Sequence, residues 1–213
     1  MRTYIYVDGF NFYYGAVKGT DYKWLNFKEL FIKLLAPENI IVSIKYFTAI
    51  VTGKIDPDQP IRQNTFIRAL ETYIPEIQVI YGNFTTHSVT QPLACQNSNY
   101  KKPFFVPVLK TEEKGSDVNL AVHLLNDAWS NKFDCAVVVS NDSDLSEALK
   151  IVKTDLKKVV GVINPRNERP SLELLRHATS HKVIRKGLLA ISQLPESIPN
   201  TNLRKPLNWN KKK

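Results

Sequence analysis

With 213 residues, 43% of them hydrophobic and 23% charged, the chain is long enough for one globular core and too apolar to be disordered. No run of about 18 apolar residues exists to span a bilayer, and the two cysteines, Cys95 and Cys135, are too few for a disulfide framework or a zinc cluster. The net charge of +9 and pI near 9.4 favour a polyanionic partner. More than half of that excess comes from Arg204, Lys205, Lys211, Lys212 and Lys213, which all follow the last acid, Glu196.

The chain starts on an apolar run broken early by Asp8, which lacks the hydrophobic stretch of a secretory leader and suits a buried first strand over residues 3 to 7. A reducing cytoplasm is the expected setting. Asn26 is placed to cap a helix in which Phe27, Leu30, Phe31, Leu34 and Leu35 recur at helical spacing. A second strand is expected over Ile40 to Ile50, an amphipathic helix over 60 to 73, and a third strand over Ile77 to Tyr81.

Residues 84 to 113 break this rhythm with Thr, Gln, Asn and Pro, and read as an insertion over one edge of the sheet containing an irregular strand or hairpin. Ser116 to Trp129 is strongly helical, with an apolar stripe expected at Val118, Ala121, Val122, Leu125, Ala128 and Trp129. A buried strand over Cys135 to Val139, a helix over Asp144 to Val152 and a strand over Val159 to Ile163 follow. A short helix near Ser171 to Arg176 and a short strand near Val183 to Ile184 complete a domain spanning 1 to 190. Strand and helix alternate throughout, so the expected fold is α/β, a three-layer α/β/α sandwich with a mostly parallel central sheet. Residues 195 to 213 turn to Pro, Asn, Ser and Lys and are expected to form a basic, flexible tail.

In an open parallel sheet, ligands bind beyond the carboxyl ends of the strands. Asp8 ends the first strand, and Asp142 and Asp144 follow Val139 in Ser140-Asn141-Asp142-Ser143-Asp144. Asp117 opens the helix before the Cys135 strand and is expected at the same edge. Carboxylates gathered there repel one another, and a hard divalent cation, Mg²⁺ or Mn²⁺, is the usual remedy. Each acid also has a plainer explanation: Asp8 before Gly9 as a turn residue, Asp117 as an acid favoured in the first turn of a helix, and Asp142 or Ser143 as a cap. Other phosphate chemistries lack their motifs. There is no glycine-rich phosphate loop, no second aspartate two residues after Asp8, where Phe10 stands, and no Ser-His or Cys-His pairing.

Three blocks, Tyr6-Val7-Asp8-Gly9-Phe10-Asn11, Lys114-Gly115-Ser116-Asp117-Val118-Asn119-Leu120-Ala121 and Val139-Ser140-Asn141-Asp142-Ser143-Asp144-Leu145, resemble the NYN family of PIN-like nucleases, including its LabA-like branch. The resemblance covers roughly residues 3 to 185. It implies a PIN-like fold and metal-dependent RNA cleavage by Asp8, Asp117, Asp142 and Asp144. It also implies supporting roles for Asn11, which would bond a metal-bound water or a phosphate oxygen, and for Ser140, which would steady the carboxylates. Tyr13, Tyr14, Lys18, Lys101 and Lys102 would hold the RNA strand. His123 stands where many relatives carry an acid. If that loss weakened the metal site, a catalytically weak RNA-binding or regulatory protein of the same fold would result. A homo-oligomer or a protein regulator is compatible with either reading, and no membrane partner is expected.

Overall fold

The computed structural model of the chain describes residues 1–53, 56–93, 104–165 and 169–209. Six strands form one parallel sheet: β1 (Arg2–Asp8), β2 (Ile40–Thr48), β3 (Ile77–Tyr81), β6 (Cys135–Val139), β7 (Val159–Asn164) and β8 (Ser180–Val183). Their order across the sheet is β3-β2-β1-β6-β7-β8, and every neighbouring pair is parallel. The remaining strands, β4 (Asn83–Pro92) and β5 (Phe105–Lys114), make a separate antiparallel hairpin. The chain winds outward in one direction through β1, β2 and β3, then returns to the middle and winds the other way from β6. The order therefore reverses between β1 and β6, and a crevice opens there at the carboxyl ends.

The pleat explains why these strands read as continuous apolar runs. Successive residues point to opposite faces, and both faces are covered. Ile5 and Val7, with Cys135, Val137 and Val139, bury against one layer that includes α2 (Phe27–Leu34) and α3 (Gln59–Tyr73). Tyr6, Ala136 and Val138 bury against the other, which includes α4 (Ser116–Trp129) and α5 (Ser146–Lys150). A short α1 (Gly9–Phe12) runs straight into a wider, π-type turn over Tyr13–Val17. The short α6 (Leu172–His177) and α7 (Lys186–Ala190) complete the layers. No helix among the described residues is long and apolar enough to cross a membrane.

Two expectations need correction. The stripe read on α4 is split: Val118, Val122 and Trp129 are exposed, Trp129 by 80%, while Leu120, Leu124, Asp127 and Ala128 face the sheet. Asp127 takes a core position because a long-range partner, Lys45 of β2, neutralises it. The second correction concerns residues 195–209, which do not trail away as a flexible tail. The Trp24 indole N–H donates to the Pro195 carbonyl at 2.8 Å, Ile198 is buried, and the Trp209 ring lies 6.3 Å from Trp24 and 5.9 Å from Phe66. Sparse apolar residues suffice here because each fills a space on an existing core. Residues 210–213 lie outside the described residues.

Candidate functional site

Asp8 is the last residue of β1 and lies opposite Phe47 of β2. It is almost fully buried, and both of its oxygens are held: Oδ1 accepts the Asn11 N–H at 2.9 Å and Oδ2 the Ser140 hydroxyl at 2.8 Å. The first of these bonds caps α1, so the plainer role expected of this residue is present as well. The residue after it has to be glycine. A Cβ at Gly9 would stand 2.5 Å from the Phe47 carbonyl oxygen and 3.0 Å from the Tyr46 ring.

Across the reversal point, Ser140 continues β6. Its hydroxyl is buried, donates to Asp8 and accepts the Asp142 N–H at 3.1 Å, which ties the ends of β1 and β6 together. Asn11 adds a second tie, its side-chain oxygen accepting the Asn141 N–H at 3.2 Å. Asp142 caps the helical turn Ser143–Leu145 by accepting the Asp144 N–H at 3.0 Å. Asp144 is exposed, and among the described residues its carboxylate makes no hydrogen bond or ion pair.

Asp117 enters from above in the first turn of α4. Partial burial, and then the charges of Asp8, Asp142, Glu113 and Asp144, push its pKa up to about 6. Asp8 is also raised, by burial first, against the hydrogen bonds from Asn11 and Ser140 that lower it. None of the four aspartates forms an ion pair with a Lys or Arg among the described residues, so no described cation offsets the negative charge at this edge. Glu113, at the end of the hairpin, joins the cluster and accepts the Ser116 N–H at 3.1 Å. The sequence reading missed it because it lies in an insertion and not at the end of a core strand. The spacing to Asp117 is set by Gly115, which adopts φ +97° and lets the hairpin turn directly into α4.

His123 stays out of this cluster. It lies farther along α4, with Nδ1 3.3 Å from Lys45 Nζ and its ring 5.6 Å from that of Phe47. Its pKa is lowered by burial and by the Lys45 charge.

The residues expected to grip a strand divide. Lys101 and Lys102 lie outside the described residues. Tyr13 and Tyr14 line a cavity of about 320 Å³ that also involves Gly9, Phe10, Tyr46 and Trp209. The Lys18 ammonium sits 4.4 Å from the centroid of the Tyr14 ring.

The donor chemistry suits a hard cation: carboxylate oxygens with unbalanced charge and no thiol or imidazole. As the side chains stand, no three His, Cys, Asp or Glu residues among those described converge closely enough to hold a metal ion. The acids fit such an ion in kind and have yet to close around one point.

A doubly wound parallel sheet with acids at its reversal point places the molecule among α/β/α sandwich proteins that bind ligands beyond their strand ends. The chain belongs to the NYN domain family, whose model matches residues 2–185. It is 32% identical to a Pseudomonas putida protein named 6-hydroxy-3-succinoylpyridine 3-monooxygenase HspA, over 98% of this chain and 75% of that one. A Vibrio parahaemolyticus protein of unknown function has a similar fold, with a TM-score of 0.55 and 22% identity over 87% of this chain and 93% of its own.

Proposed function

We propose that the chain is a metal-dependent endoribonuclease that hydrolyses phosphodiester bonds at the edge formed by β1, β6 and α4. The observation that carries this reading is the gathering of Asp8, Asp117, Asp142 and Asp144 at one sheet edge with no Lys or Arg paired to them among the described residues; partial burial, and then these neighbouring charges, lift Asp117 to about 6. Asp8, Asp117, Asp142 and Asp144 would hold Mg²⁺ or Mn²⁺, which when bound supplies Lewis-acid stabilisation of the phosphate and eases ionisation of water. Asp8 and Asp142 keep their places because Ser140 bonds both, one through its hydroxyl proton and the other through its lone pair. Asn11 uses its carbonyl on Asn141, which leaves its amide N–H groups for a phosphate oxygen. Asp144, exposed and unbonded through its carboxylate among the described residues, is the group best placed to take a proton from an attacking water. RNA is the proposed partner, and the NYN assignment supports a hydrolase of this kind.

The test is incubation of a mixed RNA pool with wild type and with Asp8→Asn/Asp142→Asn in Mn²⁺, Mg²⁺ or EDTA. Fragments from wild type alone, abolished by EDTA, are expected. Equal cleavage by the double variant would remove the proposal.

A second reading takes a small heteroaromatic acid as substrate in place of RNA. It is favoured by the name of the Pseudomonas relative together with the ring-lined cavity behind Asp8. Turnover of such an acid by a preparation that leaves RNA intact would select it.

A further inference from the structure

The cavity behind Asp8 has no part in holding the acids, yet it is built from groups that recognise rings and anions. Tyr46, Phe66 of α3, Trp209 of the C-terminal segment, and Tyr13 and Tyr14 of the π-type turn all line it. Phe66 and Trp209 meet edge to face with ring centroids 5.9 Å apart, and Tyr13 and Tyr14 do the same at 5.3 Å. The lining is therefore rich in ring surface against which a flat guest can pack. Its volume of about 320 Å³ is at the lower end of ligand cavities, which run from roughly 300 to 1,000 Å³, and suits one ring system with a short substituent.

Among the described residues the charged lining is Arg62, Lys23 and Asp56, cationic on balance, and Arg62 donates to Asp56 through one terminal nitrogen. A guanidinium has five N–H donors in a fixed fork, so Arg62 retains donors for a second acceptor. Lys23 makes no ion pair among the described residues. Gln63 is committed to the backbone, accepting from Val51 and donating to Ala49 at 2.9 Å, so it holds the wall and reads nothing. Tyr14, 57% exposed, stands at the mouth beneath the Lys18 ammonium. Gly9 and Phe10, the two residues that follow Asp8 in the chain, line the cavity, while the four aspartates do not.

We propose that this cavity is a subsite for a planar heteroaromatic ring bearing an anionic group, stacked among Tyr13, Tyr14, Phe66 and Trp209, with its anion at Arg62 and Lys23. Two sources present that chemistry: the base and phosphate of a nucleotide in an RNA strand, and a free small molecule such as a mononucleotide or a heteroaromatic carboxylate. Only the first of these rests on the nuclease reading above.

The experiment is isothermal titration of the full chain in EDTA with adenylate, uridylate, nicotinate, a single-stranded oligouridylate, and inorganic phosphate as the ring-free control. Ring-bearing probes should bind and phosphate should not. Tyr14→Ala and Trp209→Ala should each weaken binding by about 5- to 100-fold, the range for losing one stacking ring, and Arg62→Gln by about tenfold or more, the range for losing one hydrogen bond between charged groups. Thermal unfolding confirms that each variant is folded. Tyr14 is exposed at the mouth, so its variant retains the test even where the others disturb the wall. Oligonucleotide binding at least tenfold tighter than mononucleotide assigns the cavity to a strand, and parity assigns it to free molecules. No binding by any ring probe, or equal affinity in wild type and all folded variants, overturns the proposal. Ring binding that these variants lose, in a protein that cleaves no RNA, would leave the cavity standing and the nuclease reading fallen. Cleavage that the cavity variants leave untouched, with ring binding also unchanged, would do the reverse.

Discussion

Asp117 in the first turn of α4 is partly buried and faces Asp8, Asp142, Glu113 and Asp144, and burial first, then those charges, raise its pKa to about 6. Near the other end of the same helix Asp127 is fully buried, yet it accepts from the Tyr6 hydroxyl and Lys132 at 2.9 Å each and pairs with the buried Lys45. Burial alone would raise Asp127, but the bonds from Lys45, Lys132 and Tyr6 hold it below the ordinary carboxylate range. One helix thus carries one carboxylate that its surroundings oppose and another that they complete. On the function proposed above, the difference separates a group kept for an incoming positive charge from a group kept for the fold.

The largest effects should come from breaking the first set. Asp8→Asn or Asp117→Asn should lower RNA cleavage by about 10³-fold or more, in single-turnover assays with Mn²⁺, while the unfolding midpoint stays near wild type. Asn at position 8 still accepts the Asn11 N–H, and Asn at position 117 relieves repulsion. Breaking the second set should reverse the pattern. Asp127→Ala strands the buried Lys45 and should cost about 3–5 kcal/mol in urea unfolding, with cleavage per folded molecule retained. Lys45→Met combined with Asp127→Leu should recover most of that loss, because an apolar pair replaces a buried ionic one.

The two ends should also respond to pH with opposite sign. A carboxyl whose folded pKa is raised stabilises the fold below its unfolded value, and that contribution is lost as pH rises. For Asp117 the window runs from 3.8 to about 6, and Asp117→Asn should flatten this part of the stability profile. Asp127, held low, contributes above the ordinary carboxylate value, and its contribution disappears as pH falls through its folded pKa. Urea midpoints measured across both windows check the two slopes. The smallest effect expected is at His123. His123→Asp places an acid beside Lys45 and away from the acidic edge, so cleavage should change by less than about 3-fold, the size expected of a residue that touches none of the acids. A recovery of activity much larger than that would assign His123 to the metal site.

How far the sequence carried the account depends on whether a feature is local. The strands Ile77–Tyr81 and Cys135–Val139 and the helix Ser116–Trp129 stand where their periodicity places them, because apolar runs and 3.6-residue spacing are properties of short segments. The shared edge was legible too, since parallel strands carry Asp8 and Asp142 to the same side of the sheet, whereas the reversal between β1 and β6 emerges only from the strand order. The buried face of α4 was not legible. Val118, Val122 and Trp129 look like core residues, and Asp127 looks like a surface residue, until Lys45 arrives from another strand. Glu113 and Trp209 escaped for the same reason. Each gains its role from a distant element, the acids in one case and the Trp24 and Phe66 rings in the other.

The most direct test of the division along α4 is calorimetric titration of Mn²⁺ into wild type, Asp117→Asn and the Lys45→Met/Asp127→Leu double variant. The account predicts saturable binding by wild type, binding weakened at least tenfold in Asp117→Asn, and wild-type affinity in the double variant. Equal affinity in wild type and Asp117→Asn, or loss of binding confined to the double variant, would contradict it.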